Sequence, residues 1–292
     1  MSTDNTLSKD ELSALRQRSD FKAVITLLIN YGFIAAAFTL AIIWPNPLTI
    51  LLSVLLIGGR QLGLGILTHD CCHNALFENG RSNELAGHWL CGAAINLDFY
   101  DYRKYHLQHH RFAGTDQDPD KIFVDKYPVA RESLRRKLLR DISGRTGLRD
   151  ELTRLKQFQL KKQTPWLLFH AVLISLLMAA NALWAYLIWW AAELFVLPLL
   201  LRLRQIGEHG VASDRSSLDP RENTGTTLAS WWERLFIAPN HVNFHVEHHR
   251  FANVPPYNLS KLHSLLKARG YFEGYHCLRQ GYRQVLRDAV TT

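Results

Sequence analysis

From Ala23 to Gly59 the chain contains no Asp, Glu, Lys or Arg, a run of 37 residues broken only by Trp44-Pro45-Asn46-Pro47. Crossing a bilayer takes about 20 consecutive apolar residues. The run is therefore read as a first span at about 23–43, a Pro-rich turn, and a second span at about 48–67 that carries Arg60 and Gln61 in its last third. A second block, Gln163 to Leu201, has Glu193 as its only charge. It suits two more spans, at about 165–181 and 184–203, with the break near Asn181 and with Pro165 at a helix start, where its missing N–H costs nothing. The alternative is a soluble protein with two buried helical hairpins, and charge-free runs of this length argue against it. The stretch Leu85–Phe99 is too short to cross and is read as re-entrant or interfacial.

Charge is distributed as unevenly as hydropathy. The whole chain carries +8, with a pI near 9.4. Between Lys121 and Lys162 there are 13 Lys or Arg against 5 Asp or Glu, which leaves 21 against 21 elsewhere. The turns at 44–47 and 181–185 hold no Lys or Arg, while Lys9, Arg16, Arg18 and Lys22 precede the first span. By the positive-inside bias both termini and the middle segment face the cytoplasm. The expected fold is all-α: a polytopic membrane protein of four transmembrane helices in two hairpins, with an N-terminal arm (1–22) and one domain (23–292) whose helical cytoplasmic cap comprises 69–162 and 204–292. No cleavable signal is expected, since the first 20 residues are polar and mixed in charge. In Arg131–Arg140, Leu134, Leu138 and Leu139 share a helix face. Such a basic amphipathic helix suits anionic headgroups, or serves only as a charged topology marker. Nucleic-acid binding is set aside, because the patch adjoins membrane spans and lacks a recognition module. Cys71, Cys72, Cys91 and Cys277 show no CxxC spacing and are read as free thiols.

Histidine is abundant, 14 residues, and eight fall in three clusters: His69-Asp-Cys-Cys-His73, His106-Leu-Gln-His109-His110 and His245-Val-Glu-His248-His249. Positions i, i+3 and i+4 share a helix face, so each cluster aims two or three imidazoles in one direction. Neutral imidazole suits Fe, Zn, Cu and Ni, and eight ligands are too many for one ion. Two ions with four or five ligands each is the economical reading. All three clusters lie at expected cytoplasmic ends of spans, where they can meet at one membrane face.

On these boxes the chain resembles the membrane-bound fatty acid desaturase superfamily, the histidine-rich non-haem di-iron enzymes. The context Asn243-Phe-His-Val-Glu-His-His-Arg-Phe251, then Val254-Pro-Pro-Tyr257, is similar to that family's third-box region, and Thr115–Asp120 to the stretch after its second box. The resemblance spans roughly residues 45–270. It implies two irons held by His69, His73, His106, His109, His110, His245, His248 and His249. A ninth ligand is His209, in Gly207-Glu-His-Gly210 just past the last span. No catalytic residue is expected beyond these ligands. Asp70, Glu208 and Glu247 adjoin them in sequence and are candidates to orient the imidazoles, although adjacency turns a helical side chain away from its neighbour's face. Asp116, Asp118 and Asp120 read equally well as turn residues. His241 is left out of the ligand set, and His88, His170, His263 and His276 are read as structural, His170 bonding a neighbouring helix. Arg60, inside a span, is a possible substrate contact, and the surrounding glycines are read as helix packing.

The implied activity is dioxygen-dependent desaturation of a fatty acyl chain in a lipid or thioester. Electrons would come from a separate donor of ferredoxin, rubredoxin or cytochrome b5 type. The alternatives are a hydroxylase or ketolase of the same superfamily acting on a lipid, carotenoid or alkane-like substrate and, more remotely, a non-catalytic His-rich metal carrier.

Overall fold

The computed structural model describes residues 6–291, and nearly all of its regular structure is helical. Three helices are long and apolar enough to cross a membrane: Asp20–Ile43, Pro47–Cys72 and Leu183–Gly210. The first two form an antiparallel hairpin. Ser19 caps the first, accepting from the Lys22 amide. Asn46 caps the second by accepting from the Leu48 and Thr49 amides, and Pro47 takes the first-turn position that needs no N–H donor. Ser53 Oγ donates to the Ala37 carbonyl at 2.7 Å and ties the pair. Gly58 and Gly63 explain the closeness of the neighbouring elements. A Cβ on Gly58 would lie 2.5 Å from Val196 Cγ1, and one on Gly63 would lie 2.4 Å from Asn30 Oδ1. The packing role expected of the glycines is what these two perform.

Three expected boundaries shift, the last span running on past 203 to Gly210. The second span runs on past 67 to Cys72, so His69 and Asp70 sit in its last turn and His73 caps it. Nothing between Arg60 and Cys72 breaks a helix, and every residue there except Gly65 is buried, so packing sustains it beyond the apolar run. The helix expected at 165–181 begins earlier, as Leu160–Ala179, with Pro165 inside it. Gln163 Oε1 reaches back to accept from the Gln159 amide at 2.8 Å, which satisfies the new N-terminus. Its first turn holds Lys161 and Lys162, so its apolar stretch is shorter than those of the other three. Asn181 (φ +52°) makes the turn into Leu183–Gly210, whose backbone widens to π geometry at Ala192–Val196 and again at Ile206–Gly210.

The remaining elements gather around the ends of these helices. The short apolar stretch is no span: it folds as successive short helical segments from Gly80 to Ile95 and turns at Asn96 (φ +51°) into Phe99–Phe112. Arg131–Ile142 and Arg145–Lys156 pack on the Leu183–Gly210 helix, with Leu134 in a core shared with Val196, Leu197 and Leu200. The tail adds Trp231–Phe236, His245–Arg250 and Pro256–Ala268. It also holds a two-residue parallel ladder pairing Thr226 with Leu278 and Thr227 with Arg279, a small exception to the all-α expectation. The N-terminal arm docks on the tail rather than standing apart: Leu15 is buried there, and Arg16 Nε donates to Asn253 at 2.8 Å. All four cysteines are free and buried.

Candidate metal centre

Each histidine box occupies a helix end that packing fixes. His69 and His73 close the second span helix. His106, His109 and His110 occupy the last turns of Phe99–Phe112, a helix started by Asp98, whose carboxylate accepts from the Asp101 amide at 2.8 Å. The third box forms the six-residue helix His245–Arg250, set up by two residues of positive φ, Asn240 (+55°) and His241 (+63°). Asn240 is locked between the first two helices: its Nδ2 donates to the Gly63 carbonyl at 2.8 Å and its Oδ1 accepts from Asn30 at 3.0 Å. The lock sets the third box against the first.

The boxes converge into two groups that could each hold a metal ion: His69, His73, His106, His110 and His248, and His109, His209 and His249. Ligand nitrogens within a group lie within 4.8 Å of one another. His245 falls outside the second group's limits but abuts it, with Nε2 2.9 Å from His209 Nε2 and its ring 4.6 Å from that of His249. The division departs from the expectation that one box aims in one direction. Box members four apart stay together (His69 with His73, His106 with His110), whereas His109 and His248 each join the group opposite their neighbours. Adjacent helical residues diverge by about 100°, so His109/His110 and His248/His249 face opposite groups and every full box spans both.

The donor chemistry fits metal. His106 and His73 bring Nε2 atoms to 2.9 Å, and His248 and His110 to 3.1 Å. Imidazoles bound at about 2.1 Å and at right angles would place their nitrogens about 3.0 Å apart. The buried Nε2 of His249 has no hydrogen-bond partner among the described residues. Burial pushes His106, His248 and His249 well below the usual imidazole range, His73 to about 4 and His110 to about 2, so these rings are neutral, as ligation requires.

The far sides of the rings are fixed as well. His69 Nδ1 lies 2.9 Å from Asp70 Oδ1 even though the two are adjacent in sequence. His209 Nδ1 lies 3.0 Å from the Asn223 carbonyl. His109 Nδ1 lies 2.8 Å from Asp118 Oδ1, with Asp120 Oδ2 at 3.6 Å. Burial opposes charge on His109, but the Asp118 hydrogen bond and the two carboxylates outweigh it and hold the ring above its ordinary value. Asp118 also accepts from the Asp120 amide at 2.9 Å, so it is turn residue and imidazole partner at once. Sequence reasoning left that open, and the only signal was its position nine residues after a box histidine. Glu208 is placed beside a box imidazole, 3.7 Å from His245 Nδ1, and is held by Arg204 Nε at 2.9 Å. Glu247 is not: its carboxylate turns away from the groups to Thr226 Oγ1 at 2.6 Å and His263 Nδ1 at 2.5 Å. Adjacency alone put it among the candidates, and helix geometry rotates it out.

Arg60 is likewise taken up within the protein, donating to the Leu235 carbonyl and lying 5.5 Å from the Phe33 ring. His170 meets the Tyr186 hydroxyl at 2.7 Å on the neighbouring helix. His241 stacks on Phe244, outside both metal groups. Beneath the imidazoles lies a cavity of about 200 Å³ between Leu62 of the second span and Leu197 and Leu201 of the last long helix. It reaches His106, His109, His209 and His245.

Two adjoining groups of imidazoles, carried by two membrane-length helices, the helix Phe99–Phe112 and the short helix His245–Arg250, define a histidine-rich candidate metal centre at the ends of membrane-length helices. Residues 45–281 match the fatty acid desaturase family, and the chain belongs to it. It is 24% identical to an sn-1 oleoyl-lipid 12-desaturase of Synechocystis sp., over 84% of this chain and 76% of the relative. To the dihydrorhizobitoxine desaturase of Bradyrhizobium elkanii it is 25% identical, over 91% of this chain and 80% of that one. A β-carotene ketolase of Paracoccus sp. shares 28% identity over a shorter stretch, 32% of this chain and 43% of the ketolase.

Proposed function

We propose that this chain is a dioxygen-dependent di-iron desaturase that introduces a double bond into a fatty acyl chain of a lipid or thioester. The observation that carries the reading is the convergence of three distant boxes, joined by His209, into two adjoining groups of imidazoles beside a cavity that Leu62, Leu197 and Leu201 also line. His69, His73, His106, His110 and His248 would hold one iron, and His109, His209, His245 and His249 the other. The bound irons would supply dioxygen reduction and an oxidant able to take hydrogen from an unactivated methylene. The protein's part is placement. Asp70, Asp118 and the Asn223 carbonyl fix the ring orientations. Leu62, Leu197 and Leu201 seat a methylene and keep water from it. Electrons come from a separate donor of ferredoxin, rubredoxin or cytochrome b5 type.

The chain sits in the membrane through four helices, Leu160–Ala179 being the shortest, with both termini and the metal centre on the cytoplasmic side. The asymmetry of Lys and Arg supports this orientation. The partial likeness to a β-carotene ketolase favours a second reading, oxygen insertion into a lipid or carotenoid, since the same ligands serve both and the outcome rests on how the carbon is seated.

Mass spectrometry of lipids from a host expressing the chain separates the two. Loss of two hydrogens marks desaturation, and gain of oxygen marks hydroxylation or ketone formation. Active protein with fewer than two irons per chain, or turnover without dioxygen, refutes the di-iron reading.

A further inference from the structure

The helix Arg145–Lys156 is built with its polarity reversed relative to a helix in water. Its inward face is Thr146, Gly147, Glu151 and Arg154, while Leu148, Leu152 and Leu155 point outward, 53%, 48% and 58% exposed. These leucines stand at i, i+4 and i+7, one stripe of a helix. Leu139 and Ile142 on the preceding helix and Phe158 beyond it are exposed too, at 50%, 48% and 43%. An amphipathic helix in water turns such a stripe toward the core. Here the core-facing side is polar because it is engaged with the long helix Leu183–Gly210. Arg154 Nη1 lies 3.3 Å from Glu193, Arg202 Nη2 donates to Asp141 at 3.0 Å, and a Cβ on Gly147 would lie 2.5 Å from the Leu194 carbonyl. Leu194 lies nine residues before Leu203, about 13 Å along the axis, well inside the apolar part of that helix. The two short helices therefore press against a membrane-length helix within its apolar zone. The stripe's continuity with that surface names what covers it. Arg131, Arg135, Arg136 and Arg140 on the first of the two helices and Arg145 and Arg149 on the second are all exposed.

We infer that the Arg131–Lys156 helical pair is an in-plane membrane element, its leucines in the acyl region and its arginines on the phosphates of acidic phospholipids. Leucine stripes flanked by arginine are what such a surface recognises. The stripe favours lipid over a soluble electron donor, which the arginines alone would also suit.

The test uses the full chain in nanodiscs. Because the four native cysteines are buried, a thiol-reactive fluorophore reports on an added one. A label at Leu152→Cys is expected to be quenched by doxyl-labelled lipid, and one at Ser264→Cys, exposed on the tail, is not. Equal quenching at the two sites overturns the assignment. Reversing Arg135, Arg136 and Arg140 to Glu is expected to cut retained phosphatidylglycerol several-fold in mixed discs. If that variant keeps its acidic lipid and instead loses donor-supported turnover, the arginines belong to a protein interface and the inference fails.

Discussion

Removing the Asp118 carboxylate should weaken one metal site and spare the other. Asp118 Oδ1 stands 2.8 Å from His109 Nδ1, with its side chain 10% exposed, so the bond is made away from bulk water. Losing a hydrogen bond to a charged partner and leaving an N–H unmet costs about 1.5–3 kcal/mol. Asp120, 3.6 Å away and 26% exposed, takes up part of the loss. The lower half of that range is expected, about 1.5–2 kcal/mol, or roughly 10–30-fold in affinity. This agrees with the roughly 10–100-fold typical of partners behind a ligating histidine. His109 belongs to the smaller imidazole group, so Asp118→Ala protein passed over a competing chelator should fall from two irons per chain toward one. Asp118→Asn keeps an acceptor oxygen without the charge and should land between. Asp116→Ala is the control, since its carboxylate is 98% exposed and lies 3.7 Å from Lys121. Wild-type iron retention in Asp118→Ala, or loss of both irons together, would refute the orienting role.

Other substitutions probe the rest of the centre. His245→Ala should abolish turnover, since its Nε2 stands 2.9 Å from that of His209, while His241→Ala, four residues earlier and stacked on Phe244, keeps most of it in a product assay of membranes. Glu247→Gln should leave the iron count unchanged yet lower the thermal midpoint in detergent, because it weakens buried bonds to Thr226 and His263 worth about 1.5–3 kcal/mol. Gly63→Ala drives a Cβ into Asn30 Oδ1 and breaks the Asn30–Asn240 lock; a loss of about 1–3 kcal/mol is expected, read as a lower thermal midpoint. Iron removal by a chelator should lower the same midpoint, since metal that binds only the folded chain stabilises it by mass action.

The parts of this protein legible in its sequence are those governed by local spacing. Charge-free runs announced the long helices, and the Trp44–Pro47 turn announced the first hairpin. The i, i+4 pairs of the first two boxes, His69 with His73 and His106 with His110, stayed together as helix geometry requires. Boundaries were harder. The second span was expected to end with its apolar run, but buried packing carries the helix on to Cys72. Pro165 read as a start because its chemistry suits one, while a side-chain bond from Gln163 supplied a start one and a half turns earlier.

The deeper gap concerns which groups stand behind the ligands, and it has a physical cause. A ligand declares itself by residue type, since few side chains bind metal as neutral imidazole does. Its partner needs only one acceptor oxygen, which every residue carries on its backbone and many in their side chains. His209 leans on the Asn223 carbonyl, fourteen residues away and invisible as a motif. Asp118 was visible but could equally have been a turn residue, and it is both. Asp70 follows a box histidine and Glu247 precedes one, and of the two Asp70 bonds its neighbour. The difference lies in what each carboxylate meets across the fold. Glu247 faces Thr226 and His263, brought in by the tail ladder and the following helix, whereas Asp70, buried at the end of its span, turns one oxygen to the adjacent ring and leaves the other without a hydrogen-bond partner among the described residues. Long-range contacts thus decide which carboxylate orients a ligand, and a functional test of this centre should begin with Asp70 and Asp118 rather than with every acid beside a histidine.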